Sequence, residues 1–382
     1  MTVAPNTAEA EAELLPLNRH TCRVLALVTD GLGESGGIAR FNADLVEALA
    51  ASRRVREVAL VPRFGRSDVA MPAKVQQIAP RSSRMLWAIQ SIRSAIEDRP
   101  EVVFCGHVHA VVPAAGLARL RGSRLWVHVH GIEGWTPRGT VAGRCLEQAH
   151  LVTTASRYTR RRLLEWSRLA PEQVRVLPNT VRQEFKPRPR PADLVRRYGL
   201  EGRRVILTVG RLSSAERYKG HDRIIAALSD VARQCVPLAY LIVGVGDDRP
   251  RLAALAQRMG VGPLVVFAGH VGETELPDHY ALGDVYAMPS TGEGFGIVFL
   301  EAAASGLPVI GGNRDGSVDA LADGRIGRPI DPESPGELRS ALVAALARTE
   351  AIPGRERESV ARFRPENFTR HVDDLLHELL SA

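Results

Sequence analysis

Short runs of hydrophobic residues recur along the chain, and segments with helical spacing of apolar residues separate them. In the first half the runs lie at residues 24–29, 55–61, 102–104, 125–130 and 151–153. In the second half they lie at residues 205–209, 238–243, 264–267, 285–288 and 309–310. Strands that alternate with helices in this way are typical of parallel sheets covered on both faces. We therefore predict an α/β protein with two Rossmann-like, doubly wound parallel-sheet domains.

The domain boundaries follow from segments that break this pattern. Residues 186–191 read Lys-Pro-Arg-Pro-Arg-Pro, and proline at every second position can neither continue a helix nor donate to a sheet ladder. This linker would separate domains at 23–185 and 192–365. Residues 1–22 lack the basic start and apolar core of a signal peptide, so we interpret them as a flexible leader. Residues 366–382 carry the helical apolar spacing of a terminal helix.

Composition narrows the class of protein. The chain has 382 residues, of which 45% are hydrophobic and 24% are charged, so disordered and fibrous proteins are excluded. Apolar runs fall well short of the ~20 residues that a membrane-spanning helix needs. Four cysteines lie far apart without Cys-x-x-Cys spacing, which argues against a disulfide framework or a cysteine zinc site. We therefore expect a protein of the reducing cytoplasm.

Positive charge is concentrated in the first half of the chain. The net charge is +7. Residues 1–180 hold 24 of the 50 Lys and Arg residues but only 16 of the 43 Asp and Glu residues. This excess suggests an anionic partner, which could be a nucleic acid, a lipid headgroup or a diphosphate. Residues 84–96 mix arginines with Met, Leu, Trp and Ile, which is compatible with an anionic membrane surface or with a solvated helix packed on the sheet.

A glycine-rich loop follows the first predicted strand. Residues 31–37 match the Gly-x-Gly-x-x-Gly pattern of dinucleotide-binding folds. The acidic residue expected at the end of the second strand is missing, so we retain only a simpler prediction, that Gly36 and Gly37 suit a phosphate oxygen at a helix N-terminus. His130 ends another predicted strand, at the sheet edge where open α/β folds bind ligands. The alternative is that His130 is a loop histidine bonded to the backbone. The two His-x-His pairs lack the spacing of a metalloprotease helix, so no metal site is predicted.

The second half contains a candidate diphosphate clamp and a pair of acidic residues. Arg211 follows one predicted strand, and Lys219 precedes the next helix, so two cations flank a helix N-terminus. Glu293 lies in a glycine loop, and Glu301 lies eight positions later on the following helix. Between them, three residues would expose backbone N–H groups at the helix start, namely Phe295, Gly296 and Ile297. The two carboxylates suit sugar hydroxyls better than phosphates, which they would repel.

These motifs together resemble those of the retaining glycosyltransferases of family 4. The resemblance rests on four groups of residues: Gly36-Gly37, His130-Gly131-Ile132-Glu133, Arg211 with Arg217-Tyr218-Lys219-Gly220, and the pair Glu293 and Glu301. It extends from about residue 23 to the C-terminus. The family has the GT-B fold, in which two Rossmann-like domains face a cleft, and its terminal helix crosses back onto the first domain.

The resemblance implies a role for each motif. Arg211 and Lys219 would bind the donor's diphosphate, and Glu301 would hold the ribose. Glu293 would hold the donor sugar together with the backbone of Phe295, Gly296 and Ile297. The Gly36-Gly37 loop would close over the phosphates, His130 would lie near the sugar, and Val271 would lie near the base. One departure concerns residues 313–316, Asn-Arg-Asp-Gly, where many members carry a Gly-Gly-x-x-Glu pattern, so donor contacts there are in question.

The function expected from the resemblance is transfer of a hexose, with retention and without a metal or cofactor, from a UDP- or GDP-linked sugar. The acceptor would be a glycan, a lipid-linked glycan or a small molecule in surface polysaccharide or glycolipid synthesis. The enzyme would be cytoplasmic, peripheral at the inner face of the membrane, and would not bind nucleic acid. Three alternatives remain open: an NAD-dependent oxidoreductase, a non-enzymatic module that binds polyanions or nucleotide sugars, and a sugar-nucleotide epimerase or phosphorylase of the same fold.

Overall fold

The computed structural model describes residues 21–34, 36–66, 69–137, 139–348 and 354–381. The first sheet has seven parallel strands in the order β3-β2-β1-β4-β5-β6-β7. Its strands are β1 (Cys22–Asp30), β2 (Val55–Phe64), β3 (Val75–Gln77), β4 (Val102–Cys105), β5 (Arg124–Val129), β6 (Leu151–Thr154) and β7 (Val174–Val176). Its helices are α1 (Gly37–Ala51), α2 (Arg84–Asp98), α3 (Val111–Arg121), α4 (Thr140–Leu146) and α5 (Arg157–Leu164).

The second sheet has six parallel strands in the order β10-β9-β8-β11-β12-β13. Its strands are β8 (Arg204–Val209), β9 (Leu238–Val243), β10 (Val265–Gly269), β11 (Val285–Met288), β12 (Val309–Gly312) and β13 (Arg328–Ile330). The helices around it are α6 (Ala192–Tyr198), α7 (His221–Ala232), α8 (Arg249–Arg258), α9 (Leu276–Tyr280), α10 (Ile297–Ala304), α11 (Ser317–Ala320), α12 (Pro335–Leu346) and α13 (Gly354–Ala361).

The predicted fold class is confirmed, and the differences lie at the edges of the sheets and at the ends of strands. All ten predicted strands are present, whereas the sequence missed β3, β7 and β13, which have three residues each and lie at sheet edges. These segments are too short to show a hydrophobic run. The predicted leader lies outside the described residues except for positions 21 and 22, and Cys22 already belongs to β1 because its N–H donates to the carbonyl of Arg54 at 2.7 Å. β5 ends at Val129, one residue before the predicted end.

The last helix, α14 (Pro365–Ser381), returns to the first sheet. Its buried residues share a hydrophobic core with α1, and they are Phe368, Val372, Leu375, Leu376 and Leu379. The preceding helix α13 instead packs on the second unit, where Val360 joins the core around α10. The two sheets are therefore tied together by the chain end as well as by residues 186–191, which contain no helix or strand.

Candidate active site

The candidate site lies where the order of strands reverses in the second sheet. The strands β8 and β11 are neighbours, but the chain continues from β8 to β9 on one side and from β11 to β12 on the other. Open α/β sheets bind ligands at such a switch point, beyond the carboxyl ends of the strands. Arg211 follows β8 by two residues, and Glu293 follows β11 by five. Sheet topology therefore brings the predicted clamp and the predicted sugar-binding carboxylate to one edge.

Lys219 and Glu293 are in direct contact. Lys219 Nζ donates a hydrogen bond to Glu293 Oε1 at 2.8 Å, and both side chains are 13% exposed. Burial by itself would lower the pKa of Lys219, but the carboxylate of Glu293, with help from Tyr218 and Glu216, raises it above its usual value. Lys219 is therefore a fixed positive charge at neutral pH. The sequence predicted both residues as site residues but did not predict that they pair.

Glu216 links the two cations of the predicted clamp. Its Oε1 accepts a hydrogen bond from Arg211 Nη2, and its Oε2 lies 3.5 Å from Lys219 Nζ. Glu216 was not among the site residues predicted from the sequence. The available signal was an acidic residue three positions before Lys219, a spacing that places two side chains on the same side of a helical turn.

The loop that carries Glu293 is anchored by hydrogen bonds to Asp315. This buried carboxylate accepts from the hydroxyl of Ser290 at 2.6 Å, from the backbone N–H of Glu293 at 2.7 Å and from that of Ser317 at 2.9 Å. Residues 313–316, where the sequence departs from the family pattern, therefore support the loop of Glu293 through Asp315.

Residues 295–297 form the start of α10. Phe295 is 3% exposed and packs on Phe363, with ring centroids 5.8 Å apart, so its backbone rather than its ring is available to a ligand. Gly296 precedes the helix with φ 87°, in the left-handed region that favours glycine. Ile297 is the first helical residue. Backbone N–H groups in the first turn of a helix have no partner within it, which suits a polar ligand.

Glu301 is deeply buried on α10 and contacts one side chain from each of the two domains. Tyr280 Oη donates to Glu301 Oε2 at 2.7 Å, and Arg40 Nη1 of α1 lies 3.3 Å from Glu301 Oε1. Arg40 Nη2 also lies 3.3 Å from Glu273 Oε1. Burial raises the pKa of Glu301, and the charge of Arg40 opposes that shift. The sequence predicted Glu301 but not Arg40 or Tyr280, which come from distant parts of the chain.

His130 approaches the second sheet through its backbone. A Cβ placed on Gly294 would come within 2.2 Å of the carbonyl oxygen of His130, and one placed on Gly131 within 2.6 Å of Gly294 Cα. His130 Nε2 lies 2.8 Å from the carbonyl oxygen of Gly106. Because burial lowers the pKa of His130, its imidazole is neutral at neutral pH, and this contact assigns the proton to Nε2. The loops meet so closely that only glycine fits.

The remaining predicted residues lie around this contact. Gly36, with φ 110°, precedes α1, and Gly37 is its first residue. A Cβ on either would meet nothing within 4 Å, so both face open space. Val271 lies between β10 and α9 and packs against the core of the second unit. Within the described residues, no group of three or more His, Cys, Asp or Glu side chains is arranged to hold a metal ion.

Comparison with known proteins identifies the family. Residues 35–185 match the model described as Glycosyltransferase Family 4, and residues 203–348 match the model described as Glycosyl transferases group 1. A mannosyltransferase of Mycobacterium tuberculosis, named as GDP-mannose-dependent alpha-(1-6)-phosphatidylinositol monomannoside mannosyltransferase, is 31% identical over 379 residues, which is 93% of this chain and 98% of the relative. The chain belongs to glycosyltransferase family 4. Family membership makes it a glycosyltransferase and leaves the oxidoreductase alternative without support.

Solved structures agree on the fold. Anabaena HepE, solved with UDP and glucose, aligns with a TM-score of 0.74 at 20% identity and covers 94% of this chain and 100% of its own. Sucrose-phosphate synthase from Thermosynechococcus elongatus aligns with a TM-score of 0.73 at 21% identity, over 94% of this chain and 99% of its own. The predicted GT-B arrangement of two Rossmann-like domains is confirmed.

Proposed function

We propose that this glycosyltransferase transfers a hexose, with retention of anomeric configuration, from a nucleoside diphosphate sugar to a lipid-linked acceptor. The observation that carries the proposal is the cluster of Arg211, Lys219 and Glu293 at the switch point of the second sheet, facing His130 of the first. On this proposal residues 23–185 form the acceptor-side domain, and residues 192–365 form the domain that binds the donor.

Charge at this cluster suits the departure of a nucleoside diphosphate. As the glycosidic bond breaks, negative charge grows on the diphosphate, and fixed cations placed there stabilise the transition state more than the ground state. Lys219 is such a cation because its amine is buried and remains protonated. Arg211 supplies further N–H donors from an exposed position. The proposed reaction needs no metal because the side chains provide the charge.

We assign the remaining roles as the resemblance to family 4 implies them. Glu293 is already bonded to Lys219, so we assign it to accept from hydroxyls of the donor sugar rather than to attack the anomeric carbon. Glu301 would accept from the ribose, and the backbone of Phe295, Gly296 and Ile297 would contact the sugar. Gly36 and Gly37 would approach the phosphates from α1, His130 would lie near the sugar, and Val271 near the base.

For the substrates, the mycobacterial relative gives the most specific indication. Its name specifies GDP-mannose as donor and a phosphatidylinositol mannoside as acceptor, and at 31% identity over nearly the whole chain we propose GDP-mannose and a phosphatidylinositol-type glycolipid here. UDP-sugars are the alternative donors, since Anabaena HepE was solved with UDP and glucose.

Replacement of Lys219 tests the site. Lys219→Met should reduce transfer by at least about 100-fold, because it removes a preorganised positive charge from the leaving group. Lys186→Met, which removes an exposed linker lysine, is the matched control and should keep full activity. The product anomer, read by proton NMR, tests retention. A Lys219→Met protein with wild-type turnover would overturn the assignment of the site.

A membrane partner is supported by the outer face of α2. Trp87 packs α2 against the sheet, and its Nε1 donates to the carbonyl of Val61 at 3.0 Å. The other face turns a stripe of large apolar side chains outward, each at least 45% exposed: Met85, Leu86, Ile89, Ile92 and Ile96. The exposed Arg81 and Arg84 lie at the start of this stripe. Both predictions for this segment can hold together, since α2 packs on the sheet and still exposes an apolar stripe.

Such a stripe next to arginines suits an anionic bilayer surface, where apolar side chains enter the headgroup region and cations meet lipid phosphates. From this stripe we propose peripheral attachment at the inner face of the membrane. Within the described residues, no helix is both long and apolar enough to span a membrane. A triple variant, M85S/I89S/I92S, should lose flotation with phosphatidylglycerol vesicles. Leu120→Ser, on α3 and equally exposed, is the control. Absence of wild-type binding at low salt would contradict the proposal.

A further inference from the structure

A carboxylate that the proposed function leaves without a role lies between the two cations of the site. Glu216 belongs to a short 3-10 helix, Ser214–Lys219, between β8 and α7. One of its oxygens accepts from Arg211, and the other lies 3.5 Å from Lys219 Nζ. Its side chain is 13% exposed. Glu216 is therefore the group that the two cations share.

Arg211 depends on this contact more than Lys219 does. The side chain of Arg211 is 79% exposed, and within the described part of the chain Glu216 is its only ion-pair partner. A free arginine side chain has high rotamer entropy, which a ligand must overcome when it orders the side chain. The contact with Glu216 orders the guanidinium before a ligand arrives. Lys219, by contrast, is also fixed by Glu293.

The direction of the contact shows which role Glu216 can have. A carboxylate that merely filled the place of a diphosphate would lie in the open cleft, whereas the Glu216 side chain is sheltered and the Arg211 side chain is exposed. Glu216 therefore approaches the guanidinium from the protein side. Its hydrogen bond occupies one of five N–H donors of the guanidinium, and the others remain for an anion on the solvent side.

The loop that carries Glu216 is itself fixed by the turn after β9. Asp247 accepts from the backbone N–H of Ser214 at 2.8 Å and from its hydroxyl at 2.5 Å. The glycines of the same turn allow close packing on the segment around Arg211, because a Cβ on Gly244 would lie 1.9 Å from the carbonyl oxygen of Gly210. The turn therefore braces the segment around Arg211 and the start of the short helix that carries Glu216.

We propose that Glu216 is a positioning residue of the diphosphate clamp, holding Arg211 and Lys219 in the arrangement that a nucleoside diphosphate requires. The inference rests on the proposed function, in which these two cations bind the diphosphate. It predicts that Glu216 matters for the second phosphate of the ligand and not for the nucleoside.

Paired ligands isolate this effect. We would measure the affinities of GDP and GMP by titration calorimetry, with UDP and UMP as the second pair, and kcat and KM for the sugar donor. Glu216→Ala should weaken GDP binding about tenfold, the cost of ordering a long side chain anew, and leave GMP binding unchanged. Glu216→Gln, whose amide oxygen still accepts from Arg211, should restore most of the affinity. Glu201→Ala, an exposed carboxylate before β8, is the matched control.

Three other results would contradict the proposed role of Glu216. Tighter GDP binding by Glu216→Ala would show that the carboxylate competes with the diphosphate, and this would overturn the inference. Unchanged GDP binding by both variants would also overturn it, and Lys219→Met would then show whether the clamp itself stands. A wild-type protein that binds GDP no better than GMP, and UDP no better than UMP, would refute the clamp and the inference together. Because Glu216→Gln keeps the size of the side chain, it tests the inference even if the alanine variant folds poorly.

Discussion

Arg40 provides the strongest test of how charge is balanced between the two domains. Its side chain is 8% exposed, and it neutralises Glu301, which is almost completely buried, from a distance of 3.3 Å. Arg40→Met keeps most of the aliphatic volume and removes the charge. Loss of one partner from a buried ion pair costs about 3–5 kcal/mol. Glu273, the other partner, is 45% exposed and adds little. We therefore expect Arg40→Met to lower the free energy of unfolding by about 3 kcal/mol at pH 8.

The loss should depend on pH in a defined direction. Burial already raises the pKa of Glu301 in the folded protein, and removal of Arg40 raises it further. A carboxyl group whose folded pKa exceeds its unfolded value binds more protons in the native state, so the native state gains stability as the pH falls through the folded pKa. The cost of Arg40→Met is thus greatest at pH 8 and shrinks toward the unfolded pKa of about 4.3.

Urea unfolding between pH 5 and 8, followed by tryptophan fluorescence, measures this effect in the wild type, Arg40→Met, Glu301→Gln and the double variant. The double variant should recover most of the loss, because it also removes the buried charge that Arg40→Met leaves behind. A loss of stability in Arg40→Met that is the same at every pH would refute this charge balance. So would a double variant whose loss equals the sum of the losses of the two single variants.

Three further predictions concern neighbouring contacts. Gly294→Ala places a Cβ 2.2 Å from the carbonyl oxygen of His130, so it should separate the two loops and lower kcat by about 100-fold. The control Gly116→Ala on α3, where a Cβ meets nothing within 4 Å, should keep activity. Equal turnover by the two variants would contradict the contact between Gly294 and His130. Burial raises the pKa of Asp44 to about 6, so the stability of the wild type should rise as the pH falls from about 6 toward the pKa of Asp44 in the unfolded chain. Asp44→Asn should add about 2 kcal/mol at pH 8 and flatten that pH dependence. An unchanged pH profile in urea unfolding would exclude Asp44 as its source. Asp315→Ala leaves the hydroxyl of Ser290 and two backbone N–H groups without an acceptor, so it should lower the free energy of unfolding by about 2–4 kcal/mol. Asp315→Asn should lower it by less. Calorimetric unfolding and the KM for the donor sugar test both variants.

Local pattern was sufficient for the sheets because each buried strand needs its own run of apolar residues. Strands such as β9 are buried on both faces and read as continuous apolar segments. The edge strands β3, β7 and β13 are short and partly exposed, so pairing with a neighbour, rather than apolar sequence, defines them. The terminal helix, predicted from its apolar spacing over residues 366–382, spans Pro365–Ser381, one residue away at each end.

Sequence by itself determined the residue types of the candidate site, because glycine turns and paired charges at strand ends are local features. It predicted Arg211, Lys219, Glu293 and Glu301 without their contacts. The tertiary structure decided that Lys219 pairs with Glu293, 74 positions away, and that Arg40 reaches Glu301 from α1 of the other domain. Such pairings depend on strand order and on how the two domains meet, and no local pattern encodes them. The physical reason is that fold class follows from local burial, whereas the charge balance of a cleft follows from which distant side chains share a low-dielectric space.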